Sequence, residues 1–364
     1  MIDLTSIDKT ATTMQEAAQK STGPNQAEAT TEFREIQDRY KLAQKTFQSL
    51  LKIGPGPDRR TVLETACSST AEYAAFPIKQ AEKAFFRHIN EHTGIPYILR
   101  ENVSQPWHKP FLLIQIQLHG GPLPNKLTHA ARKELLSERG QMFFILDRVL
   151  RCLVDILGLR RDGRGVIAAL DVLRSIKAGV WDGNQNELLQ VEGIGAVKMD
   201  RLANAGIKTI RQLAGLQCYH IERLLSRNPP FGQEMVRKLN GFPLLRLNID
   251  ILGPFKEGQQ QLGAGKSKPN MLPTNTGTLW MTRIVLGYEN EEVPQWRKKS
   301  LWATFVIEGE DGRLVWFWRG SVKKLENEQT MIVCLAVKKG EKLGVVFACE
   351  TVVGTTIRES LKID

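Results

Sequence analysis

Two glycines one residue apart, Gly193 and Gly195, enclose Ile194 in the run "LLQVEGIGAVKMDRLANAGIKTIRQL", and three cations, Lys198, Arg201 and Lys208, follow within fifteen residues of the first glycine. A short turn that leads into a helix leaves several backbone N–H groups without partners. Those groups converge on anions, helped by the positive end of the helix dipole. Glycine permits the unusual dihedrals such a turn needs and has no Cβ to hold a phosphate away. Lys198 falls in the first turn after the glycines and Arg201 three residues further, so both can lie near one face. The chemistry that fits Gly193, Ile194, Gly195, Lys198, Arg201 and Lys208 is the grip of a sugar–phosphate backbone without base readout. The alternative is a tight inter-helix turn that touches nothing.

Other chemistry-bearing patterns are weaker. "QQLGAGKSKP" ends like a nucleotide phosphate loop, but the first glycine of GxxxxGK[ST] would fall at Gln260 and no apolar strand precedes it. "LRRDGRG" clusters three arginines and reads as a solvated inter-helix loop. His88 and His92 have the i, i+4 spacing of helical metal ligands, with no third ligand near in sequence. The five cysteines, Cys67, Cys152, Cys218, Cys334 and Cys349, lie far apart and read as reduced, mostly buried thiols. Glu291 and Glu292 sit in a charged loop.

The elements that position the glycine turn are helical. In "AEYAAFPIKQAEKAFFRHINEH" Pro77 stands near a helix start. "WHKPFLLIQIQLHGG" could be strand or buried helix. "GQMFFILDRVLRCLVDILG" is apolar nearly all round and reads as the central helix of a bundle, and "VIAALDVLRSIKAGVW" as another helix ended by Gly179. Shorter helices follow: Thr209 can N-cap "IRQLAGL", "NPPFG" at 228–232 stops one helix and starts the next, and Gly241 with Pro243 closes that one. Val191, Ile194, Leu202, Ile207, Ile210 and Leu213 are the expected packing residues of the turn. From residue 277 the apolar period changes to two, giving six or seven strands with turns at "GEDG" and "KKGEK". Trp316 and Trp318 alternate onto one face with Leu314 as expected core.

The resulting division is a mobile leader with a short amphipathic helix at 1–55 (Phe33, Ile36, Tyr40, Leu42 and Phe47 on its apolar side), a helical bundle at 56–185, a helix-hairpin-helix domain at 186–250, a linker at 251–276 and a β-sandwich at 277–364. No run of about 18 apolar residues exists, so no membrane span is expected, and the first twenty residues do not read as a secretory signal. The formal charge of +11 favours polyanion partners. Its density peaks at residues 191–250, with nine basic and five acidic groups, whereas residues 277–364 carry 13 and 12. The sandwich is therefore expected to act through protein contacts.

The order of parts, with "DRVLRCLVDIL", "AALDVLRSIKAGVWDGNQNELLQVEGIG", "IERLLSRNPPFGQEMVRKLNGFP" and "FPIKQAEKAFFRHINEHTGIPY", resembles the Sec sixty-three-type cassette that follows the motor of superfamily-two helicases, and within it the meiotic crossover DNA helicase branch. The resemblance covers roughly residues 70–364. It implies a multidomain α-then-β fold ending in an immunoglobulin- or fibronectin-like sandwich, and a nuclear, accessory single-stranded DNA-binding role beside an ATP- and Mg-dependent 3′–5′ motor. This chain has no acceptable Walker A loop and no DExH box, so no catalytic residue and no cofactor of its own is expected. Implied partners are single-stranded or branched DNA, the motor domains and a MutL-type mismatch-repair protein. Glu192 stands where related hairpins often carry proline. The competing expectation is a non-enzymatic scaffold whose sandwich recruits a partner and whose hairpin is only structural.

Overall fold

A computed structural model of the chain describes residues 26–120, 123–183, 186–255 and 278–363, with side chains from residue 31 onward. The expected leader up to residue 25, the "GAGKS" run and most of the expected linker lie outside the described residues.

The helical part is built on two long helices. α1 (Gln26–Tyr40) and α2 (Gln44–Leu50) form the expected amphipathic segment, split in two at Lys41, whose φ is 47°. Ile36, Leu42 and Phe47 are buried, and Phe33 and Tyr40 pack against the same core. α3 (Arg59–Ser68) starts where the Asp58 carboxylate accepts the Thr61 amide at 2.7 Å. α4 (Lys83–His92) begins six residues after Pro77, later than its sequence suggests, because a 3-10 turn at Gln80–Glu82 lies between the proline and the helix. α5 (His108–His119) resolves the ambiguous apolar run as a helix. Its residues from His108 to Gln115 are all buried, and Gly120 ends it at φ 77°. Lys109, fully buried within it, is held by Glu82 at 2.7 Å and Glu138 at 2.6 Å, since a charge out of water needs close partners.

α6 (His129–Leu159) is the central helix. It starts eleven residues before the all-apolar stretch, and its second half is buried almost all round. α7 (Gly163–Ala178) packs along it and is closed by Gly179 at φ 79°. "LRRDGRG" joins the two and is structural: Arg160 donates to the carbonyls of Ile53 and Leu51, and Arg164 reaches Glu308 at 3.2 Å.

Four short helices follow: α8 (Ala196–Asn204), α9 (Ile210–Ala214), α10 (Cys218–Leu225) and α11 (Phe231–Leu239). Thr209 caps α9 reciprocally with Gln212, as its sequence predicts.

Two antiparallel sheets complete the fold. β1 (Leu245–Pro254) and β2 (Thr278–Tyr288) join β7 in the order β1-β2-β7, β7 being Gln329–Val337. A hairpin of β3 (Gln295–Trp296) and β4 (Lys299–Ser300) precedes the second sheet. That sheet has the order β6-β5-β8-β9, with β5 at Trp302–Glu308, β6 at Leu314–Ser321, β8 at Lys342–Cys349 and β9 at Ile357–Lys362. Strand β1 is a correction, because "LRLNIDILGP" already alternates with period two, 32 residues before the stretch read as the first strand. It pairs Leu247 with Leu286 and Ile249 with Ile284 across an intervening segment of over twenty residues.

The facing sides of the two sheets share one apolar core, with Ile284, Leu286 and Leu335 on one side and Phe305, Trp316, Trp318 and Phe347 on the other. The far side of the four-stranded sheet meets the helical core through Val306, Leu314 and Phe317. Leu314 therefore does not share a face with the two tryptophans. Strands such as "WATFVIE" are apolar without alternation because both of their faces are covered. Ion pairs tie the layers together. Arg174, fully buried on α7, donates to the Cys349 carbonyl at 2.8 Å, and Asp171 meets Arg59 at 2.6 Å and Arg358 of β9 at 2.7 Å. Asp155 of α6 accepts from Tyr40 at 2.8 Å and Arg39 at 3.0 Å. No helix among the described residues is long and apolar enough to cross a membrane.

Candidate nucleic-acid interface

The glycine turn is anchored from below. Val191, Ile194, Leu202, Ile210 and Leu213 are buried in the core that the two sheets share, and Ile207 packs against it. Gln190 exchanges two hydrogen bonds with the backbone of Val353, at 3.0 and 3.1 Å. The Glu187 carboxylate accepts the Ile210 amide at 2.6 Å, and burial raises its pKa above the ordinary glutamate range. The turn is thus clipped to the sheets through side chains that precede it.

The two glycines differ. Gly193 has φ 97°, a conformation that side-chain-bearing residues rarely adopt. Gly195 has φ −102° and ψ 179°, extended backbone open to any residue, and a Cβ placed there would meet nothing within 4 Å. Gly193 makes the turn, and Gly195 keeps the approach open. Gly195 is also the N-cap of α8, with no side chain to satisfy the amides behind it. The first intrahelical bonds run from Lys198 and Met199 to the Gly195 carbonyl, which leaves the amides of Ala196 and Val197 without an acceptor among the described residues.

These amides open into a groove of about 510 Å³ lined by Gly195, Val197, Lys198, Arg201 and the Leu225–Arg227 corner. The three cations of this groove, Lys198, Arg201 and Arg227, have no carboxylate within ion-pair distance among the described residues. Lys198 lies 4.7 Å above the ring of Phe231, and Arg227 lies 6.0 Å from the same ring. Its Nζ donates to the Gly193 carbonyl at 2.6 Å, which braces the turn. Partial burial, then Arg227 and Lys238, lower the Lys198 pKa from the usual lysine value. Several like charges held this close favour an anion between them. Lys238, on α11, donates to the Glu192 carbonyl at 3.2 Å, and Glu192 itself is exposed, its carboxylate 4.0 Å from the same lysine.

Of the sequence candidates, Gly195, Lys198 and Arg201 line the groove, and Gly193 stands beside it, its carbonyl accepting from Lys198. Ile194 is buried beneath it. Lys208 is exposed beyond the far end of α8 and does not line it. Sequence reasoning missed Arg227, Phe231 and Lys238. They belong to the next helix pair, and only the close α10–α11 packing, where a Cβ at Gly232 would fall 2.2 Å from the Cys218 carbonyl, brings them alongside. The charge density of residues 191–250 was the available signal.

His88 and His92 lie on α4 with ring centroids 4.9 Å apart. Among the described residues no group of three or more His, Cys, Asp or Glu could hold a metal ion. Cys67, Cys152 and Cys349 are buried, Cys218 is half-buried and Cys334 is exposed.

Comparison with known proteins gives the following. The family model described as the Sec63 Brl domain matches residues 30–360. The ATP-dependent DNA helicase MER3 of Saccharomyces cerevisiae is 23% identical over 295 residues, covering 79% of this chain and 23% of that protein. The probable ATP-dependent DNA helicase HFM1 of Homo sapiens is 19% identical over 327 residues, covering 87% of this chain and 21% of that protein. The ATP-dependent DNA helicase MER3 homolog of Oryza sativa is 22% identical over 228 residues, 60% of this chain and 18% of that protein. The chain spans about a fifth of the length of these relatives.

Proposed function

This chain belongs to the Sec63 Brl domain family, and we propose that it is the accessory single-stranded DNA-binding and interaction cassette of a meiotic crossover DNA helicase. One observation carries this most: amides at the Gly195 end of α8 and three cations, all without acceptor or carboxylate partners among the described residues, open into one groove. Such a groove takes phosphates without regard to sequence. In this reading α8 to α11 form helix-hairpin-helix units, and the two sheets form an immunoglobulin-like sandwich. Residues 186–250 are the DNA-binding unit, behind a helical bundle and ahead of the sandwich. ATP and Mg serve a motor carried by other domains of a longer protein, and this chain contributes binding, not catalysis. Its site of action is the nucleus.

A scaffold role has its own support. On the two edge strands of the three-stranded sheet, Leu252 of β1 is 50% exposed and Ile332 of β7 67% exposed. A protein partner fits there, and the resemblance suggests a MutL-type mismatch-repair protein.

The test is binding of a labelled oligothymidylate, followed by fluorescence anisotropy. Wild type binds, and Lys198→Glu and Arg227→Ala each bind more weakly at unchanged stability. Folded variants with wild-type affinity would move the scaffold role into first place.

A further inference from the structure

The β3–β4 hairpin carries an unusual turn. Gln295 pairs with Ser300 and Trp296 with Lys299, so Arg297 and Lys298 form a two-residue connection. Their φ values are 50° and 62°. Turns with two positive φ values normally use asparagine and glycine, because a Cβ is strained there. Here two long cations occupy both positions, and a third, Lys299, follows. All three are exposed, and none has a carboxylate within ion-pair distance among the described residues.

The base of this hairpin is rigid. Trp296 is buried against Phe242, with ring centroids 4.4 Å apart, and the Arg297 guanidinium lies 5.3 Å from the Trp296 ring. A Cβ at Gly241 would fall 2.7 Å from the Gln295 carbonyl, so the hairpin is pressed against the end of α11. The other end of α11 borders the groove through Phe231, and between them Met235 and Lys238 flank Gly193. One helix of nine residues, about 13 Å long, thus connects the groove to the cationic turn.

Resting on the single-strand reading of the groove, we propose that the Arg297–Lys298–Lys299 turn is a second phosphate-binding element, which takes the same DNA strand a few nucleotides beyond the groove. A nucleic-acid strand is favoured over an acidic protein because the cations continue from Lys198 of α8, set over Phe231 at one end of α11, through Lys238 to the turn at the other end of α11. The near-neutral sum over residues 277–364 conceals this cluster. Two strained turn positions held by arginine and lysine also fit a local cost retained for function.

The experiment uses the full chain with Arg297→Asn and Lys298→Gly combined, a pair suited to this turn, so the variant folds at least as stably as wild type in urea. Two labelled oligothymidylates are compared, one of about four nucleotides and one of about sixteen, the span of single-strand sites. The variant binds the long oligomer several-fold more weakly, with a salt slope shallower by about 1.4 for two lost phosphate contacts. It binds the short one as wild type does. Lys198→Glu weakens both. Unchanged long-oligomer affinity and slope in the variant overturn the proposal, and this is also the outcome if the turn serves an acidic protein. If wild type binds neither oligomer, the groove reading falls and takes the turn with it.

Discussion

The two glycines of the turn separate folding from binding. An alanine Cβ at Gly193 would meet only the ends of Lys238 and Met235, both at 3.7 Å, so sterics cost little. The backbone cost remains. At φ 97° a side-chain-bearing residue is strained by about 1–3 kcal/mol. Gly193→Ala should lose that much stability in urea unfolding. Gly195, at φ −102° with open space around it, has no such penalty, and valine there should fold normally. Its branched side chain would instead stand between the strand and the α8 amides. A hydrogen bond to a charged group contributes about 1.5–3 kcal/mol, so loss of one phosphate contact corresponds to tenfold or more in affinity, at about 1.4 kcal/mol per tenfold. The assays are urea unfolding followed by circular dichroism and anisotropy with labelled oligothymidylate. A Gly195→Val protein of normal stability and full affinity would refute the role of the amides. A Gly193→Ala protein as stable as wild type would refute the strain argument.

Asp171→Asn should destabilise by roughly 3–5 kcal/mol, because it leaves buried Arg174 with one fewer partner. Burial alone would raise the Asp171 pKa, but Arg174, Arg358 and Arg59 hold it below the ordinary range. Its contribution is therefore present above that range and lost as pH falls through the lowered value, so the variant should show a flatter acid limb in urea titrations. Glu187 has the opposite sign. Its raised pKa means stability that is full below the usual glutamate range and lost as pH rises through the folded value. Glu187→Gln should gain stability relative to wild type as pH rises from the usual glutamate range through the raised folded value, and a difference that does not change with pH would contradict this.

Much of the fold was legible where one residue decides a boundary. Thr209 and Gly179 mark helix ends that local backbone chemistry alone dictates, and both stand where expected. α5 was ambiguous because an element buried all round has no polar face to report its period. β1 was overlooked because its alternation follows directly on a helix and its partner is distant in sequence. The placement of Leu314 was misread because the β5–β6 register shifts between Ile307 and Glu308, which turns Leu314 away from the face of Trp316 and Trp318, and a bulge of one residue leaves no mark in an apolar run. At the site, Gly193, Gly195 and Lys198 could be found because they are neighbours in sequence. Arg227 and Lys238 could not, since tertiary packing of α10 and α11 brings them to the turn. Lys208 is close in sequence but is carried away by the length of α8.

The most direct measurement is the salt dependence of oligothymidylate binding by the wild-type chain. Each phosphate neutralised on a single strand contributes about −0.7 to the slope of log K against log salt. The three groove cations therefore give a slope of about −2, the same for every base sequence, and Arg227→Ala should flatten it by about one such unit. A slope near zero, or one untouched by Arg227→Ala, would contradict the groove as the place where this chain holds DNA.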